Sequence, residues 1–361
     1  MSSRALAISG NGMVAAGVSN SANGANEAFR YPLSGSMTGL GDLPPDPPFA
    51  SFATGANSTG SVLSAYGAVT TLSTLAACWT AMGGLVSIGD LPGGGTTSQG
   101  YAVSANSTPT SSIIVGRGRV ATGNEAFRWA GNCQTGVGTM TGLGDLPGGA
   151  ATSQANGVSA DGMVVVGTGN SANGTEAFRW TAALGLVGLG DLAGGGFRSE
   201  AFGVSANGSA VVGFGQSADS SPFQAFRWVL TNAMTGAGTM TGLGYLPTTG
   251  NQNSRANAVS GDGNVVVGFS ETAPGQNQAF IWDPVNGMRR LADLVPGLVP
   301  AGWTLTDATA VSADGLTVAG YGINPGGQTE GWVLFIPEPA TVLLLLAGGM
   351  LALRRRGRGG A

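Results

Sequence analysis

The sequence predicts an all-β chain: a β-propeller of about seven four-stranded blades, the last incomplete, followed by one hydrophobic C-terminal helix. Two observations predict it. A set of short motifs recurs with a period near fifty residues, which marks propellers and solenoids rather than mixed α/β enzymes. Glycine is far above its ordinary share of about 7%, with 65 copies in 361 residues, and no helical periodicity precedes the C-terminus. A β-solenoid is the runner-up, but its rungs are usually shorter than this repeat.

Three anchors carry the repeat. The first reads Val-Ser-Ala-Asp-Gly or a variant, at 8–12, 158–162, 204–208, 259–263 and 311–315, each followed by a short apolar run. The second is Glu-Ala-Phe-Arg-Trp, intact at 125–129 and 176–180 and varied at 27–31, 224–228 and 278–282, with weaker copies at 75–79 and 330–334. The third is Gly-Leu-Gly-Asp-Leu-Pro, at 39–44 and 142–147, with variants at 87–92, 188–193, 242–247 and 290–295; the final repeat lacks it.

Each unit reads as four strands. Asn-Gly or Asp-Gly between the first two tolerates positive φ at both central positions, so a type I′ hairpin is expected there. In the third strand, alternation puts Phe127 and Trp129 on one face and Ala126 and Arg128 on the other, so that large and small faces interlock between neighbouring blades. Runs such as Val265-Val266-Val267 do not alternate, as expected of strands covered on both faces.

Arg30, Arg128, Arg179 and Arg227 share one repeat position, and Trp129, Trp180, Trp228 and Trp282 share another. Aspartates recur at 42, 90, 145, 191 and 293. The expected role is structural, each arginine laying its stem between blades and bonding an aspartate or a carbonyl, because buried charges require partners. A fixed pair within each repeat is not required: Cys78 and Ile281 replace arginine where Asp90 and Asp293 remain, and Tyr245 replaces aspartate beside Arg227.

Composition removes whole classes of function. Charged residues make up 9% of the chain, every basic residue is arginine, and histidine is absent. Setting aside four arginines at the extreme C-terminus, 11 positive groups face 19 negative ones, so no phosphate-neutralising surface exists and nucleic acid is not an expected partner. Cysteine-histidine metal sites are excluded, and no metal or cofactor is expected. Cys78 and Cys133 lie one repeat apart and are expected as two unpaired, partly buried thiols rather than a bridge.

After residue 336 the character changes. Pro337-Glu338-Pro339 is followed by fourteen apolar or small residues, Ala340 to Leu353, including Leu343, Leu344, Leu345, Leu346 and Leu351, and then by Arg354, Arg355, Arg356 and Arg358. As a helix this run spans about 21 Å against a hydrocarbon core of roughly 30 Å, with snorkelling arginines making up part of the difference. Arginines beyond it hold that end in the cytoplasm and leave the repeat body outside. Two regions are thus expected, a repeat body over 1–336 and a tail over 337–361, anchored in the inner membrane before processing. A plain anchor and a helix buried in the soluble body are the competing readings of the tail.

Pro-Glu-Pro, an apolar helix and a terminal arginine cluster, in that order, resemble the PEP-CTERM sorting signal of Gram-negative bacteria. That resemblance implies recognition by an exosortase, a membrane-embedded cysteine peptidase that cleaves near the motif and releases or transfers the protein. The repeat body is similar to HAF-repeat extracellular proteins, with Glu-Ala-Phe or Gln-Ala-Phe standing where His-Ala-Phe names the family. Both resemblances imply a cell-surface or extracellular protein, with exopolysaccharide as the ligand that family context suggests. The N-terminus lacks the secretory signal and the opening Leu-Gly-Asp-Leu strand of such chains, so an upstream segment is expected to supply the missing strand and close the ring.

Without histidine or lysine, only carboxylates remain as general acids or bases. Asp46, Glu200, Asp219, Glu271, Asp283 and Asp307 lie outside the repeat positions, and two of them flanking a glycosidic bond would make a hydrolase or lyase. Nothing in the sequence brings any two together. The reading is therefore a non-enzymatic binding or structural propeller, with an exported polysaccharide-active enzyme as the alternative. Asn-rich loops such as 20–24 and 170–174 hold too few carboxylates for calcium.

Overall fold

The computed structural model describes residues 2–20, 25–44, 50–217, 223–247 and 253–336. The expected helix over 340–353, the Pro337-Glu338-Pro339 motif and the terminal arginines lie outside the described residues. No helix among the described residues is long and apolar enough to cross a membrane.

Each copy of the repeat folds as an antiparallel meander. The first comprises Ser3–Ile8, Val14–Asn20, Asn26–Pro32 and Thr38–Gly39; the third comprises Ser98–Val103, Ser112–Val120, Gly123–Gly131 and Gly138–Gly142. The fourth and fifth meanders are joined into one eight-stranded sheet by a single parallel pairing, Thr175 with Arg198. The last has three strands among the described residues, Thr304–Val311, Thr317–Ile323 and Thr329–Phe335.

The faces interlock as small against large. Ala126 and Val115 of the third sheet pack with Phe178 and Val165 of the fourth, and Ala177 of the fourth with Phe226 and Trp228 of the fifth. Phe127, Phe178, Phe226 and Phe280 are completely buried. Ala319 of the last sheet packs against Phe29 of the first, so the row of sheets returns to its beginning.

The turns between first and second strands differ from the expected type I′. Gly12, Gly162, Gly208, Gly263 and Gly315 adopt φ of 71–81°, yet no residue other than glycine has positive φ among the described residues. The amide of Gly12 donates to Ser9 O at 2.8 Å and that of Ser9 to Val14 O at 2.8 Å, which makes a longer loop around an ordinary β-turn. The serine before each turn is the reason. Ser9, Ser159, Ser260 and Ser312 each donate Oγ to the Asx carboxyl or amide oxygen two residues on, which holds that residue short of the left-handed region.

These turns touch one another in a closed circuit. Gly10 N donates to Asn57 O, Ser58 N to Ala105 O, Asn106 N to Ala160 O, Ala160 N to Ala206 O, Ala206 N to Gly261 O, Gly261 N to Ala313 O and Ala313 N to Gly10 O, at 2.9–3.3 Å. The exposed amides and carbonyls of the loops thus satisfy each other around one axis.

Candidate functional site in the central cavity

The recurrent polar residues are the mortar of this assembly. Arg30, Arg128, Arg179 and Arg227 donate Nε to the carbonyls of Gly60, Gly162, Gly208 and Gly263 at 2.7–3.1 Å, each the positive-φ glycine of the next sheet's turn. Burial lowers the pKa of all four guanidinium groups. Trp129 and Trp228 are buried, and Trp180 and Trp282 are half-buried. Arg30 lies over Trp79 and Arg227 over Trp282, at 5.5 and 6.0 Å from the ring centres.

Where Cys78 replaces the arginine, the link between sheets is covalent. Cys78 and Cys133 form a disulfide with Cα atoms 5.7 Å apart, both residues fully buried, which corrects the expectation of free thiols. Cys78 sits on the strand Thr74–Thr80 facing the next sheet, and Cys133 sits in the turn between that sheet's third and fourth strands, Gly123–Gly131 and Gly138–Gly142.

Two of the recurrent aspartates, Asp90 and Asp191, serve the segment after the fourth strand. Asp90 accepts from Leu91 N and Thr97 N, and Asp191 from Leu192 N and Arg198 N, at 2.7–2.9 Å; burial raises the pKa of both.

The innermost strands surround a cavity of about 580 Å³. Toward the circuit of turns its wall is apolar, with Ile8, Val103, Val158, Val204 and Val259; away from them polar residues are interspersed with Leu6 and Phe202. Several polar wall residues also staple adjacent sheets: Thr54 Oγ1 donates to Gly100 O, Asn156 Nδ2 to Ala201 O and Asn257 Nδ2 to Ala308 O, at 2.8–2.9 Å.

One side of the polar end is charged. Asp307 is buried, accepts from Asn257 Nδ2 at 2.6 Å and Tyr321 OH at 3.1 Å, and its carboxyl is pushed up to about 6 by burial, against the opposing pull of Arg255. Tyr321 is pushed up to about 12 by burial and by that carboxylate. Arg4 lies over the Tyr321 ring at 5.1 Å. Arg255 lies over Phe202 at 3.8 Å between the fields of Asp307 and Glu200, and its buried Nε makes no hydrogen bond. On the facing side Tyr101 OH and Arg117 Nε both donate to Gln99 Oε1, and Arg117 Nη1 donates to Gln154 Oε1.

Of the six acids outside the repeat positions, Asp307 lines this cavity. Glu200 pairs with Arg198 at 2.8 Å, Glu271 accepts from Gly275 N in a hairpin, and Asp283 binds Arg289 and Asn286 in a turn. Asp46 and Asp219 lie outside the described residues. Arg4, Arg255, Tyr101 and Tyr321 were not singled out by sequence reasoning, because their repeat positions hold no constant residue type: Arg4, Gln99, Gln154, Glu200 and Arg255 each follow the serine of the innermost strand. Among the described residues no three carboxylate or thiol groups gather as a metal site.

No family model and no curated protein matches the chain. Solved structures do. The propeller domain of the Trilobed protease from Pyrococcus furiosus, reported with an open velcro topology, aligns at 8% identity over 92% of this chain and 94% of its own, with a TM-score of 0.53. The fold is a β-propeller. Puromycin hydrolase aligns at 14% identity with a TM-score of 0.54 over 93% of this chain, which spans about half of the hydrolase. A TolB from Agrobacterium tumefaciens aligns at 14% identity over 84% of this chain and 94% of its own, with a TM-score of 0.49. At such identities the likeness extends to the fold alone.

Proposed function

We propose that this chain is an exported, non-enzymatic propeller of seven blades that binds an acidic saccharide in its central cavity. The observation that carries the reading is the placement of Arg255 and Arg4 in the cavity wall beside the buried Asp307, whose carboxyl is pushed up to about 6. Two guanidinium groups over aromatic faces present donors for a carboxylate, while Asn257, Gln154 and Tyr101 offer hydroxyl-binding partners, the mixture that uronic acids require. The circuit of turn-to-turn hydrogen bonds supports the count of seven. A buried disulfide supports an oxidising compartment, and so export.

The C-terminal segment completes the proposal. Pro337, Glu338, Pro339, the apolar run and Arg354–Arg358 would hand the propeller to an exosortase-type peptidase at the inner membrane, which then delivers it to the cell surface or beyond. Replacing Glu338 by Ala in a host with that peptidase should abolish processing; unchanged processing would make the segment a plain anchor.

Binding is tested by calorimetry with glucuronate and with glucose. Glucuronate should bind, glucose should not, and Arg255→Met should remove the difference. Equal affinity for both sugars overturns the cavity assignment. A second reading, an exported polysaccharide-active enzyme, is favoured by Asp307 alone, since a carboxyl near 6 suits a general acid. New reducing ends or unsaturated products from the host polysaccharide, lost in Asp307→Asn, would establish it.

A further inference from the structure

At five junctions between sheets the same contacts recur. Ser51, Ser98, Ser153, Ser199 and Ser254 each donate Oγ to a carbonyl after the preceding sheet's fourth strand, that of Gly41, Gly89, Gly144, Gly190 and Gly244, at 2.5–2.8 Å. The same hydroxyls accept the amides of Ala28, Ala76, Ala126, Ala177 and Ala225. Glu27, Glu125 and Glu176 accept the amides of Gly41, Gly144 and Gly190 at 2.9–3.1 Å. Two leucines then enter the junction: Leu40 packs with Leu63 and Trp79 of the next sheet, and Leu43 lies over Gly67, the strand partner of Ser51.

The junction between the last sheet and the first carries half of this pattern. Ser3 Oγ accepts the amide of Gly331 at 3.1 Å, the alanine position of the motif, and Glu330 stands at the glutamate position. Among the described residues, however, Thr329–Phe335 pairs on one side only, with Thr317–Ile323. A cavity of about 310 Å³ follows this seam, lined by Ala15 and Tyr31, the counterparts of Leu63 and Trp79, together with Val333 and Phe335. It lies where Leu40 lies at the neighbouring junction.

We propose that this seam is a docking groove for an extended peptide strand with the chemistry of the repeat's own fourth strand, Met-Thr-Gly-Leu-Gly-Asp-Leu. Such a strand adds antiparallel to the open edge of Thr329–Phe335, its first leucine filling the cavity. Its second glycine gives an amide to Glu330 and a carbonyl to Ser3 Oγ. Its first glycine is required because the glutamate side chain lies where a Cβ would project, as Glu27, Glu125 and Glu176 do at Gly39, Gly142 and Gly188.

The test is fluorescence anisotropy of the full chain with a labelled decapeptide of sequence 138–147. Saturable binding is expected, weakened about tenfold or more by Leu143→Asp in the peptide, since that leucine loses its burial. In the protein, Phe335→Asp at the exposed edge and Glu330→Lys should each weaken binding with thermal unfolding unchanged. Absence of saturation, equal binding of a scrambled peptide, or indifference to both protein variants overturns the proposal. Sedimentation showing that the groove is instead filled by a second copy of the chain also overturns it.

Discussion

Thr309 Oγ1 donates to the carbonyl oxygen of Ala5 at 2.8 Å, so a side chain of the last sheet grips the backbone of the first across 304 residues of sequence. With Ala313 N on Gly10 O and Gly331 N on Ser3 Oγ, it joins the apolar packing of Ala319 on Phe29 in closing the ring, with no strand pairing across the seam among the described residues. Thr309→Val retains the shape and removes the donor. It is expected to cost about 1 kcal/mol, visible as a lower midpoint in urea with unchanged slope.

Arg179→Met tests the arginine clamp. The stem packing is kept, but the Gly208 carbonyl loses a charged donor in a buried setting, so a loss of roughly 2 kcal/mol is expected in chemical unfolding. Arg30→Met, at a more exposed copy of the same position, should cost less.

The disulfide closes a loop of 55 residues, and replacing both Cys78 and Cys133 by Ser should lower stability by about 2–5 kcal/mol. Intact-mass measurement after alkylation, with and without reductant, checks the bond directly: two added groups are expected only after reduction.

Glycine positions separate packing from conformation. Gly167→Ala would drive a Cβ into the Gln154 carbonyl of the paired strand and should unfold the protein or drop its melting temperature severely. At Gly185, φ is 68° and a Cβ meets open space, so Gly185→Ala should cost only about 1 kcal/mol.

Asp307 predicts a pH dependence of defined sign. Its folded value of about 6 lies above the ordinary 3.8, so the folded state holds the proton more tightly. That contribution to stability is fully present below pH 3.8 and is lost as pH rises through about 6. Asp307→Asn should flatten the slope of melting temperature across this window. Glucuronate affinity should fall in wild type, and not in the variant, as the carboxyl ionises.

The strand content and the interlocking of large and small faces were legible because Ala126, Phe127 and Trp129 repeat in sequence and burial repeats with them. The junction serines were equally legible, each five residues ahead of its anchor position, as Ser153 is ahead of Val158, yet a serine in a serine-rich chain gives no signal until its partners are seen. The turn type was misjudged because Asn-Gly and Asp-Gly fit two loop lengths, and the preceding serine decides between them. The cavity was least legible. Asp307 and Tyr321 are cross-strand partners in the last sheet, Arg255 comes from the sheet before it, and Arg4 joins them only because the ring brings its ends together.

That closure also sets how the molecule answers to pulling. A tether drawing on Ser3 and Phe335 loads the seam between Ser3–Ile8 and the last sheet before it loads any meander, and among the described residues the seam is fastened by single hydrogen bonds and apolar packing rather than by strand pairing. It should part first, letting the circle spring into an arc while each sheet stays intact. The protein would then behave under flow as a spring washer whose ends touch at the seam.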